Sequence, residues 1–199
     1  MSRQYVSVSI QLPLGGHSFS EEQLLTLIKG VDPREVEVVL PTLRLALVPF
    51  NQYSANPADH LRNVGRPMLS SETLVAECTE QGITAFMAVD AECHALLCRH
   101  LGEYVRYRTP LFLAPAVERG VVLLLVEGLL YVRLYDQSQL LFADVYEANN
   151  DADILYILSM IDHTYSIYSM DLSIDSRVEG NQLRLLRLCK PLFKSCKCV

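Results

Sequence analysis

The chain has 199 residues, of which 50% are hydrophobic and 20% charged, with a net charge of −6. That composition excludes wholesale disorder, and the acidic balance excludes the broad basic footprint of a general nucleic-acid binder. The longest apolar runs are about six residues, far short of the roughly 18–20 that cross a bilayer.

The opening MSRQYVSVSIQ carries no apolar signal-peptide core, which implies a cytoplasmic protein with six reduced cysteines. Tyr5, Ser7, Ser9 and Gln11 alternate with Val6, Val8, Ile10 and Leu12, predicting a strand with one apolar face. PLGG at 13–16 reads as a turn, and 17–19 as the start of a short return strand. Ser20 caps a helix with an acidic first turn, and Leu24, Leu25, Leu27 and Ile28 carry it to Gly30 as C-cap. Strands are predicted at 36–40 and 43–48 around Pro41, which cannot donate to a ladder and so marks a junction or an edge. Residues 51–71 are the most polar and punctuated region, with a short helix opening at 55–59 and ending near Gly65-Arg66-Pro67. Strands at 73–78 and 83–89 flank Glu80-Gln81-Gly82. Asp90 caps a helix over 91–101 with Ala95, Leu96, Leu97 and Leu101 among its apolar positions, and 105–109 is the next strand. The stretch 110–120 is the seam between two halves, giving expected domains 1–112 and 113–199.

The second half is the more regular. Residues 121–126, VVLLLV, are apolar without a break, as in a strand covered on both faces. Glu127-Gly128 is a two-residue turn. Leu130, Val132 and Leu134 then alternate with Tyr131, Arg133 and Tyr135, predicting a strand with one face in the core. After the polar 136–139 a third strand spans 140–147. Asn149, Asn150 or Asp151 caps a helix marked by Ile154, Ile157, Leu158, Ile161 and Tyr165. Three antiparallel strands and a helix are the first half of an RNase H-like sheet, and a strand at 170–174 would join in parallel beside the first. The tail, LRLLRLCKPLFKSCKCV, predicts a helix ending before Pro191, then a frayed basic end. Its last four residues formally match a prenylation box, with Lys and Cys in the usually aliphatic positions, and metal or membrane-surface binding are its other readings.

The run VEVVLPTLRLALVPF at 36–50, then GITAFMAVDAECHALLCRHLGEYVRYRTP at 82–110, then the hairpins and DADILYILSMI, resembles an uncharacterised Bacteroidetes family of unknown function with an actin-like ATPase fold. The resemblance spans residues 5–175. It implies an α/β protein of two RNase H-like subdomains, mixed sheets with flanking helices, and a cleft between them. It brings no established activity.

Actin-like folds hold ATP on two glycine-rich hairpin turns with Mg²⁺-organising carboxylates, because backbone N–H groups and a divalent ion offset phosphate charge. Here the first turn offers Gly15 and Gly16 with no carboxylate in it. The second offers Glu127 and Gly128, a carboxylate with a single glycine. A third site, 175–180, lacks a glycine pair. An RNase H-like nuclease would need converging acids, and Glu127, Asp136, Asp144 and Asp153 sit in a turn, at strand positions and in a first helical turn instead. His94 and Cys98 share a helix face, too small a set for structural zinc, so these thiols read as buried side chains. No catalytic residue and no metal site is assigned. The expected function is a non-catalytic interaction scaffold on a degenerate actin-like fold, with an unidentified protein partner, no nucleic acid, no membrane, and self-association left open. The alternative is an ATPase or switch that binds ATP with Mg through Gly15, Gly16, Glu127 and Gly128.

Overall fold

The structure, a computed structural model, describes residues 8–79, 82–176 and 181–199. The chain divides into two units, Met1–Thr109 and Pro110–Val199. The predicted beginning of the first strand at Tyr5, the Glu80-Gln81 turn and the third glycine site after Ser176 lie outside the described residues.

In the first unit, β1 (Val8–Gln11) leads through a 3-10 turn at Leu14–Gly16 to helix α1 (Glu21–Leu27). Ser20 closes a capping box: its Oγ accepts from the Gln23 N–H and its own N–H donates to Gln23 Oε1. Then follow β2 (Val36–Val39), β3 (Leu45–Pro49), α2 (Ala58–Asn63), β4 (Glu72–Cys78), β5 (Ile83–Asp90), α3 (Ala91–Leu101) and β6 (Tyr107–Arg108). They make a parallel sheet in the order β1-β2-β6 and an antiparallel sheet in the order β3-β5-β4.

The return strand expected at 17–19 is not there. Gly15 and Gly16 take positive φ and curl the chain straight into the Ser20 cap. Since β2 runs parallel to β1, the connection is a crossover rather than a hairpin. Helix α1 also stops at Leu27, short of Gly30, which turns the chain beyond it at φ +76°. On α3 the buried positions are Cys93, Leu97 and Leu101, one every fourth residue, while Ala95 faces solvent.

In the second unit, β7 (Gly120–Val126), β8 (Leu129–Asp136) and β9 (Gln139–Glu147) form an antiparallel meander followed by α4 (Asp151–Tyr165). Then β10 (Asp171–Ile174), α5 (Gln182–Cys189) and β11 (Ser195–Cys198) complete a five-stranded sheet in the order β11-β10-β7-β8-β9. β10 adds in parallel to β7 as expected, and β11 in parallel to β10. Strand order and directions are those of an RNase H-like sheet. One face of it, with Leu123, Leu125, Leu130, Val132 and Leu134, packs on Ile154, Ile157, Leu158 and Ile161 of α4 and Leu185 of α5. Gly120 is required at the start of β7, because a Cβ there would stand 2.5 Å from the Asp171 carbonyl oxygen of β10.

Two expectations are corrected. Tyr131, Arg133 and Tyr135 do not face solvent: all three are buried, so β8 is covered on both faces. Arg133 is accommodated by donating through Nη1 to the Ala114 carbonyl at 2.8 Å and to the Tyr135 hydroxyl at 3.0 Å. The tail is not frayed: 195–198 is strand β11, fixed by its ladder to β10 rather than by any apolar periodicity of its own. No helix among the described residues is long and apolar enough to cross a membrane.

Candidate functional site

Glycines at 15–16 let the first turn fold inward. Both are buried, with φ +64° and +80°. The Gly15 N–H donates to the Pro41 carbonyl at 2.7 Å and the Gly16 N–H to the Pro13 carbonyl at 2.8 Å. A Cβ on Gly16 would lie 3.1 Å from both Cys93 Sγ and Val89 Cγ2, so the turn sits directly on the junction of β5 and α3. There it meets a carboxylate that the local sequence lacks. Asp90 Oδ2 is 3.4 Å from His17 Nδ1, while its Oδ1 accepts from the Cys93 N–H at 2.9 Å as the α3 cap. Asp90 caps α3 as its sequence position predicts, and only tertiary structure brings it beside glycines about 75 residues earlier.

The second turn is a tight hairpin. Glu127 and Gly128 have φ +51° and +71°, the two positive values of a type I′ turn, closing the Val126–Leu129 pair. The Gly128 carbonyl accepts from the Ala148 N–H at 2.8 Å, and a Cβ on Gly128 would stand 3.1 Å from Asn149 Oδ1. The turn therefore rests against the entry to α4. Asp153 Oδ2 accepts there from the Asn149 and Asn150 N–H groups, and Asn150 Oδ1 accepts from the Asp153 N–H. Glu127 itself is exposed. Gly15 and Gly16 thus share one turn in the first unit, and Glu127 and Gly128 share another in the second.

The four acids considered for nuclease chemistry do not converge. Glu127 and Asp136 lie near opposite ends of β8, roughly 30 Å apart at the rise of a strand. Asp136 is near Arg119 at 3.5 Å, Asp144 accepts from the Val145 N–H on β9, and Asp153 is spent on the α4 cap. Among the described residues no three His, Cys, Asp or Glu side chains come together as a metal site. Cys98 and His94 do adjoin on α3, and His94 Nδ1 is 2.9 Å from the Tyr107 hydroxyl. Burial pushes the neighbouring Cys93 thiol up to about 11, which leaves it without thiolate character at neutral pH.

No family model and no curated protein matches the chain. Solved structures do. A protein of Bacteroides thetaiotaomicron with an actin-like ATPase fold and unknown function matches with a TM-score of 0.68 and 12% identity, over 92% of this chain and 77% of that one. The chain has an actin-like ATPase fold. At that identity the likeness is one of fold alone. The cytoplasmic domain of EpsL, an inner-membrane component of the type II secretion system of Vibrio cholerae, matches with a TM-score of 0.39 and 14% identity over 78% of this chain and 66% of that one. That score bears on neither fold nor function.

Proposed function

We propose that this actin-like chain is a non-catalytic protein-interaction scaffold whose glycine turns serve as architecture. The observation that carries the reading is the first turn. Its two glycine N–H groups donate to Pro41 and Pro13, and the adjacent Asp90 carboxylate already faces the Cys93 N–H and His17. A phosphate-binding turn keeps such donors free for the ligand. The acidic balance speaks against nucleic acid as the partner, and six free cysteines support a reducing compartment, the cytoplasm.

The alternative, an ATPase or switch holding Mg-ATP through Gly15, Gly16, Glu127 and Gly128, makes the opposite prediction in a thermal melt. Ligand at about 100 times its dissociation constant adds about 2.7 kcal/mol to stability. For a chain of this length that is a rise of about 5–10 °C. The scaffold reading expects no shift with millimolar Mg-ATP, and recovery of the tagged chain from its source cells with a stoichiometric protein partner. A shift of that size overturns it, and so does recovery of the chain alone as a monomer.

A further inference from the structure

We infer that the β11 edge of the second unit, with the basic residues around it, receives an extended acidic peptide as a sixth strand. This rests on the scaffold reading and gives its partner a chemistry. All 23 acidic residues of the chain precede Asn181, whereas five of its 17 basic residues follow it. One of the five, Arg184, is held by Asp151 at 2.6 Å. The other four, Arg187, Lys190, Lys194 and Lys197, are exposed and make no ion pair among the described residues. An acidic chain therefore carries one segment of concentrated positive charge, on α5, on β11 and on the link joining them.

The same segment ends in an open edge. Val199 donates to the Ile174 carbonyl and accepts from the Ser176 N–H, so its backbone is turned toward β10. In a parallel ladder this orientation alternates, which turns Lys197 the same way and sends the N–H and C=O groups of Cys196 and Cys198 outward. No described strand pairs with β11 on that side. An outward row of donors and acceptors is matched by the backbone of another strand. A lipid headgroup or a nucleic-acid phosphate would answer the charge but not that row. A second copy of β11 is disfavoured, because lysine would then face lysine. The lysines that repel this edge from itself favour a strand bearing carboxylates.

The test uses the full chain and a fluorescein-labelled decapeptide of alternating Glu and Val. Two controls accompany it, one with alternate peptide bonds N-methylated and one with Lys in place of Glu. Saturable binding of the Glu/Val peptide alone is expected. K194E/K197E should weaken it about tenfold or more. Cys198→Pro removes an outward N–H while leaving every charge in place, and should also weaken it. Both variants should melt with the parent protein. Equal binding of the N-methylated peptide, or capture of oligo-dT or anionic phospholipid vesicles in preference to the peptide, overturns the strand-addition geometry. Failure of the Glu/Val peptide without an Mg-ATP melting shift overturns this edge alone, whereas an Mg-ATP shift strikes the scaffold reading itself.

Discussion

Arg108 on β6 donates through Nε to Oε1 of Glu77 on β4 at 2.6 Å, and so links the parallel and antiparallel sheets of the first unit. A second guanidinium arm reaches Glu37 on β2 at 3.2 Å, and the Thr109 N–H donates to the other Glu77 oxygen at 2.6 Å. Burial nevertheless dominates. It pushes the Glu77 carboxyl above its ordinary value, against the pull of the Thr109 N–H and Arg108.

A pH dependence follows from that direction. A carboxyl that titrates higher in the folded chain contributes stability that is complete below its unfolded pKa and is lost as pH rises through the folded value. Urea unfolding of the parent and of Glu77→Gln, in steps from about pH 4 to about pH 8, should show the parent's advantage shrinking as pH rises and then levelling. An advantage that grows with pH would mean that attraction to Arg108 outweighs burial.

Replacement of Gly16 by alanine should cost about 1–3 kcal/mol, from left-handed backbone and from crowding against α3. Its Cβ would press on Cys93 and Val89 at 3.1 Å. Gly30→Ala is the matched control: φ is +76° there, but nothing lies within 4 Å of the added atom. It should cost about 1 kcal/mol, the backbone component alone. Urea midpoints with unchanged slopes check both. Equal losses would show that the close seat of the glycine turn on α3 contributes nothing.

Thiol reactivity should separate the six cysteines. Cys78 and Cys198 are exposed, while burial raises Cys93 to about 11 and Cys189 to about 12. Because the thiolate is the reacting form, a disulfide reagent at neutral pH should label Cys78 and Cys198 first. Cys93 and Cys189 should follow only when denaturant is added, as read by mass spectrometry of the digested protein. Early labelling of Cys93 would mean that α3 opens in the native state.

Much of the fold is legible in the sequence where local signals agree with one another. Asn150 and Asp153 close a capping box before an apolar helical stripe, and the meander β7–β9 is broken only by short turns. Tyr131, Arg133 and Tyr135 mislead because tyrosine and arginine alternate like a solvent face. Their polar tips, however, can be satisfied inside by groups such as the Ala114 carbonyl. Ser195–Cys198 has no apolar period, and its strand exists only because β10 is beside it. The candidate turns were legible as glycine motifs. The Gly16 bond to Pro13 is local to the turn, but the Gly15 bond to Pro41 and the place of Asp90 alongside depend on chain segments far apart in sequence.

The two halves of the five-stranded sheet also differ in how they can form. β7, β8 and β9 are consecutive and joined by two-residue turns, so their ladders close small loops at little entropic cost. β10 must return past α4, and β11 past α5, before either finds its parallel neighbour. Contacts of longer sequence separation form more slowly. The meander is thus the part of the sheet that closes most cheaply. The costliest pairing is that of β10 with β7, across the 51 residues from Val121 to Leu172, rather than that of the basic edge, whose Ser195 lies only 24 residues from its partner Asp171.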